Sequence, residues 1–126
     1  VMYINGTSDP LVPYNGGYVR LGKKTRGEVL STDQTIRFWV INNKCAEKPV
    51  IVPIEDKDKS DKSSAVIETY SGGTDNSEVV LIKVNGGGHA IPGGKQYLKE
   101  ETIGIVCRDF IAEELIWEFF KKHPMK

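Results

Sequence analysis

Glu78-Val79-Val80-Leu81-Ile82-Lys83-Val84-Asn85-Gly86-Gly87-Gly88-His89 decides how the fold is read. The first seven residues are the strongest strand candidate in the chain, and they run straight into three glycines and a histidine. Working back from it, Ala65 to Tyr70 is β-branched and alternating, a second strand, separated by a turn rich in Gly, Asp and Asn over 71–77. Val1 to Ile4 reads as a short buried strand that ends in Asn5-Gly6-Thr7. The loop after it holds Pro10, Pro13, Gly16 and Gly17, so regular structure there is short-lived at best. Ser31 or Thr32 caps a helix expected over 33–43, with Ile36, Trp39 and Val40 on one side. Residues 55–64, dense in Lys and Asp, read as a solvated loop.

Working forward from His89, a second loop carries Pro92, Gly93 and Gly94. Asp109 is expected to cap a last helix over about 110–122, where Ile111, Ala112, Leu115, Ile116, Phe119 and Phe120 recur at spacings of three and four. Lys121, Lys122 and His123 suit the negative end of its dipole. There is no internal repeat. The order strand, loop, helix, strand pair, loop, helix predicts an α/β architecture, a mainly parallel sheet with flanking helices. In such sheets ligands bind beyond the C-terminal strand ends. The segments after Ile4 and after Val84 are the ones so placed.

The totals bound the function. At 126 residues with 39% hydrophobic and 27% charged content, the chain suits one domain or a piece of one. Seventeen basic residues balance seventeen acidic ones, which gives no overall electrostatic reason to expect nucleic acid or an anionic membrane as partner. No apolar run approaches the ~20 residues needed to span a bilayer. Cys45 and Cys107 form either one disulfide or two buried thiols; without a CxxC or a nearby histidine they do not suggest a metal site.

Two strand-end segments carry candidate chemistry. In Gly6-Thr7-Ser8-Asp9-Pro10-Leu11-Val12-Pro13-Tyr14, flanking prolines fix a carboxylate just past a buried strand. Such an acid orients an imidazole, or else merely bonds its own turn. In Gly86-Gly87-Gly88-His89-Ala90-Ile91-Pro92-Gly93-Gly94, glycines let the chain carry a ring over a pocket, and histidine exchanges protons near neutral pH. The only other histidine, His123, sits in a charged tail, so His89 is the one credible base. Acid before base, each directly after a strand, is the chain order of the Ser…Asp…His triad in α/β hydrolases.

These two segments resemble the acid and histidine motifs of the polyhydroxybutyrate depolymerase and feruloyl esterase family. Ile111-Ala112-Glu113-Glu114-Leu115-Ile116-Trp117-Glu118-Phe119-Phe120 resembles that family's final helix. The likeness runs from residue 1 to about 123 and covers the later part of a family catalytic domain. It implies that residues 1–126 are the C-terminal part of one α/β-hydrolase domain, with Asp9 the triad acid and His89 the base. It further implies hydrolysis of small-molecule or polymeric carboxylic esters through an acyl-enzyme, without cofactor or metal, and it favours a secreted or periplasmic location. Family members often carry a tryptophan where this chain has Ile91, at a position that lines the substrate site. Many also pair a cysteine after the first helix with one near the position of Ser71; Cys45 matches the first and has no counterpart for the second.

The nucleophile is missing. Ser8, Ser31, Ser60, Ser63, Ser64, Ser71 and Ser77 are the serines, and none lies in a Gly-x-Ser-x-Gly elbow. The expectation is a piece of a longer enzyme, inactive alone. Val1 to Ile4 and Glu78 to Val84 should then be interior strands, whose apolar edge is bared and drives self-association. The competing readings are a serine peptidase of the prolyl-oligopeptidase type and a non-catalytic remnant serving as an assembly module.

Other signals fall away. Asp56-Lys57-Asp58-Lys59-Ser60-Asp61 has Asp61 where a calcium loop needs glycine, and Ile67 where it needs a bidentate carboxylate. Gly93-Gly94-Lys95-Gln96 lacks the first glycine and the metal-binding hydroxyl of a phosphate loop. The Asn5-Gly6-Thr7 sequon abuts a buried strand end, where a glycan would not fit. Trp39, Trp117, Phe119 and Phe120 read as core.

Overall fold

The computed structural model describes residues 1–124. Its elements are β1 (Met2–Gly6), β2 (Gly17–Leu21), β3 (Lys24–Val29), α1 (Thr32–Asn42), β4 (Val50–Pro53), β5 (Ser64–Tyr70), β6 (Val79–Asn85), the single-turn α2 (Glu100–Ile103) and α3 (Ala112–Lys122). A 3₁₀ turn, Thr74–Asn76, lies between β5 and β6.

The main sheet has the order β1-β6-β5-β4. Only β1 and β6 are parallel; β6 with β5 and β5 with β4 are antiparallel. The expectation of a mainly parallel sheet, and with it the C-terminal portion of an α/β-hydrolase fold, is therefore corrected to a small β-rich domain with a mixed sheet and a second, two-stranded antiparallel sheet of β2 and β3. The physical reason is connection length. Parallel neighbours need a crossover of about a dozen residues or more, usually a helix. Residues 71–78 are too few for one, so the chain turns back on itself after Tyr70. The long route from β1 to β6, through α1, does allow a parallel return.

β6 is the centre of the molecule. Its side chains alternate faces, and both faces are covered. Val80, Ile82 and Val84 pack with Cys107, Phe110, Ala112, Leu115 and Phe119 on the α3 side. Val79 and Leu81 pack with Ile36, Val40, Cys45 and Trp39 on the α1 side. β6 lies inside the sheet, whereas β1 forms one of its edges and β4 the other.

Ser31 caps α1 through a capping box with Gln34. Asp109 does not cap α3. Ile111 holds that position without a side-chain bond, and the wholly buried Asp109 carboxylate instead accepts the backbone N–H groups of Lys57 and Asp58 at 2.9 and 3.3 Å. Only part of the α3 stripe is covered. Trp117 and Phe120 are 63% and 58% exposed, against the expectation that they are core, whereas Phe119 and Trp39 are half-buried. Cys45 and Cys107 are both free and buried. No helix among the described residues is long and apolar enough to cross a membrane.

Candidate active site

The single parallel pair positions the site. Gly6 lies opposite Val84, so β1 and β6 release their loops at the same end of the sheet. The loops are then laced together. Thr7 donates its N–H to the Val84 carbonyl at 2.9 Å, Gly86 donates to Thr7 Oγ1 at 2.9 Å, and Ser8 donates to the Gly87 carbonyl at 3.0 Å. The approach is so close that a Cβ on Gly6 would sit 2.2 Å from the Gly87 oxygen. Only glycine fits there.

This lacing joins residues eighty positions apart. His89 Nδ1 lies 2.9 Å from Asp9 Oδ2. An ionised carboxylate only accepts, so Nδ1–H donates, and in the neutral ring Nε2 then carries the lone pair. The other Asp9 oxygen, Oδ1, accepts the N–H groups of Leu11 and Val12 at 2.8 and 2.9 Å. Both oxygens are therefore committed, and the Asp9 side chain is only 5% exposed while that of His89 is 36% exposed. The acid is buried and fixed; the base reaches solvent. Both sequence-predicted site residues thus come together in one contact.

The histidine loop also has a shelf beneath it. The N–H groups of Gly88 and His89 donate to the carbonyls of Ile105 and Ile103 at 2.8 and 2.6 Å. A Cβ on Gly88 would lie 2.2 Å from the Ile103 oxygen. That shelf is closed by Gln96, whose Nε2 donates to the Leu98 and Gly104 carbonyls, each at 2.9 Å, and whose Oε1 accepts from Val106 N–H at 3.1 Å. Sequence reasoning missed Gln96, because nothing in its neighbours marks a glutamine that folds back on its own loop. On the other flank, Tyr14 is buried and donates its hydroxyl to Asp33 Oδ1 at 3.3 Å; burial, then the Asp33 charge, push its hydroxyl well above the ordinary tyrosine range. Asn5 donates from Nδ2 to Thr32 Oγ1 at 2.8 Å, tying β1 to α1, and its burial leaves no room for a glycan.

Beside the pair lies a cavity of about 430 Å³, within the range of small-ligand sites. Ile4, Val84, Ile91, Ile105 and Ile116 give it apolar walls, with Asp9 and His89 at its rim. Ile91, the departure from the family pattern, does border this space. None of the described residues lining it is a serine. Cys107 touches it, but that thiol is 1% exposed and bonded to Asp109 Oδ2 at 3.5 Å, and burial pushes its pKa up. A thiol held protonated is no nucleophile.

Asp61, Cys107 and Asp109 bring their ligand-type atoms within 4.8 Å of one another. Every one of these side chains is engaged by the chain itself. Asp61 Oδ1 accepts from the Ser63 N–H and hydroxyl, both at 2.7 Å, and its Oδ2 from Arg108 N–H at 3.0 Å. Burial opposes the Asp61 charge, yet these donors outweigh it and hold the carboxyl below its ordinary value. The cluster is a buttress between the 56–63 loop and the segment behind His89. Comparison with known proteins gives no matching family model, no matching curated protein and no matching solved structure.

Proposed function

We propose that Asp9 and His89 are the acid and base of a serine-type carboxylic ester hydrolase, whose nucleophile is carried by sequence outside residues 1–126. The observation that carries this reading is the 2.9 Å contact between His89 Nδ1 and Asp9 Oδ2. A rigid acid pins the imidazole as the Nδ1–H tautomer and steadies the imidazolium once it forms. Nε2 is then free to take the proton of an attacking serine hydroxyl as its oxygen adds to the ester carbonyl. The same proton passes to the departing alcohol, leaving an acyl-enzyme, and a water activated by His89 releases the acid. The oxyanion donors come with the nucleophile, in the residue after it and an earlier loop. No cofactor enters these steps.

The substrate class follows the motifs around Asp9 and His89, which resemble those of polyhydroxybutyrate depolymerases and feruloyl esterases: small or polymeric carboxylic esters. The apolar walls beside the pair suit an acyl or aromatic group. The test compares residues 1–126 alone with the chain extended by the sequence preceding Val1, on hydroxybutyrate oligomers, methyl ferulate and a proline-containing peptide. The extended chain should cleave the esters and lose ~10⁶-fold on His89→Ala, and residues 1–126 alone should be inert. Hydrolysis by residues 1–126 that vanishes on His89→Ala contradicts an external nucleophile. Cleavage of the peptide in place of the esters moves the assignment to the peptidases.

A further inference from the structure

The acid and base loops do not hold one another alone. A third segment, residues 103–106, supports both. Gly104 has a φ of 75°, and a Cβ there would lie 2.6 Å from Gly88 Cα and 3.3 Å from the Ser8 carbonyl oxygen. It is therefore packed against the residue before His89 and the residue before Asp9. On either side of it, the Ile103 and Ile105 carbonyls accept the N–H groups of His89 and Gly88. Movement of this segment carries the imidazole with it.

Burial anchors only its ends. Ile103 and Val106 pack with Ala90. Gly104, between them and without a side chain, is held by hydrogen bonds. Its N–H donates to the Glu100 carbonyl at 2.7 Å, within the single turn of α2. Its carbonyl belongs to Gln96. Both Nε2 hydrogens of that amide are engaged, on the Gly104 and Leu98 carbonyls at 2.9 Å each, and Oε1 accepts the Val106 N–H at 3.1 Å. This pattern fixes which way the amide faces: turned over, its oxygen would meet two carbonyls and its NH₂ an N–H. Gln96 thus grips the segment at residues 104 and 106, on both sides of the Ile105 carbonyl that receives Gly88.

We propose that Gln96 is a positioning residue for the Asp9–His89 pair, its amide setting the 103–106 segment at the height that seats the imidazole against the carboxylate. The role deepens the ester-hydrolase reading and rests on it. Of the two partners, His89 is the one free to shift. Asp9 is pinned by its own turn through the N–H groups of Leu11 and Val12. The partly exposed His89 ring bonds to Asp9, and its backbone hangs from Ile103. Loss of the Gln96 amide should therefore displace the base and leave the acid in place. Reactive groups stay within about half an ångström of productive geometry only when the residues behind them are locked in turn.

The test uses Gln96→Met, which keeps the bulk of the side chain and removes its donors and acceptor. In residues 1–126 at neutral pH, the nitrogen-15 spectrum of the His89 ring should change from the Nδ1–H form alone to a mixture with Nε2–H. Tyr97→Ala, at an exposed side chain on the same loop, should leave the ring spectrum unaltered. In the extended chain, Gln96→Met should lower kcat on methyl ferulate by about 10- to 10²-fold, the scale of a ~1 Å misplacement. KM should stay unchanged, as expected when the loss falls on the transition state alone. A Gln96→Met protein that is less stable to urea yet keeps the unaltered His89 spectrum would make Gln96 structural only and overturn the proposal. If Gln96→Met does not fold, Gln96→Asn, an amide one methylene too short for the bridge, gives the same two readings. An unaltered chain without the Nδ1–H form would overturn the triad reading together with this one; an Nδ1–H form that persists in the variant overturns this one alone.

Discussion

Two glycine-rich regions of this chain use the same residue for opposite ends. Where β1 meets the histidine loop, Gly6 and Gly88 allow backbones to touch, and a Cβ at either would come within 2.2 Å of a carbonyl oxygen. In the β2–β3 hairpin, Gly17, Gly22 and Gly27 adopt positive φ, and a Cβ would meet nothing within 4 Å. The first region is a clasp, in which missing side chains create contact. The second is an arm, in which they create turns and bends. The clasp brings Asp9 to His89; the arm leaves nearly all of its side chains exposed.

The largest effect that would break this contrast is expected at Gly88. Gly88→Ala must push back the Ile103 carbonyl and Gly104, and should cost about 3 kcal/mol as an overpacking substitution. Gly27→Ala in the arm meets no atom, and its φ of 98° should cost about 1–2 kcal/mol, confined to the hairpin. Urea unfolding of both variants compares them, and equal costs would remove the distinction.

Next comes Asp9→Ala. It leaves the N–H groups of Leu11 and Val12 without their acceptor, a loss of about 1–3 kcal/mol, and it frees the His89 ring. Asp9→Asn keeps the shape of the turn and should cost less stability. In the extended chain it should still cost activity heavily, because an amide does not enforce the needed tautomer.

Acid should act away from both regions. Lys122, at 2.8 Å, holds the Glu78 carboxyl below its ordinary value against the cost of burial, with His123 adding to it; Asp61 is likewise lowered. A depressed folded pKa stabilises fully above the unfolded value and is lost as pH falls through the folded one. Melting temperature should therefore hold to about pH 5 and decline below it. Glu78→Gln should flatten part of that decline.

The smallest effect concerns the bare edges. Val50, Ile51 and Val52 of β4 are each more than half exposed on an edge strand, a setting that favours pairing with another chain. Sedimentation should show concentration-dependent self-association, reduced by Ile51→Lys.

What the sequence disclosed divides along similar lines. The strand of residues 78–84, the capped helix near 33–43 and the pairing of Asp9 with His89 were all legible. Each rests on a local signal: an apolar run, a capping serine, a functional residue directly after a strand. Strand direction does not follow from the order of elements, because the shortness of the 71–78 link forces an antiparallel return. The arm was invisible for a different reason. Its strands bury nothing, so they carry no hydrophobic alternation, and three glycines disguise them as loop. Asp109 shows why a carboxylate near a helix start is an ambiguous signal: it serves any unpaired N–H within reach, and here it accepts those of Lys57 and Asp58.

Nitrogen-15 NMR of the His89 ring in residues 1–126 tests the central claim most directly. The account predicts, at neutral pH, a proton on Nδ1 and a bare Nε2, with the Nδ1–H signal shifted far downfield and lost in Asp9→Asn. A ring protonated at Nε2 alone, or one whose spectrum does not respond to Asp9→Asn, would contradict it.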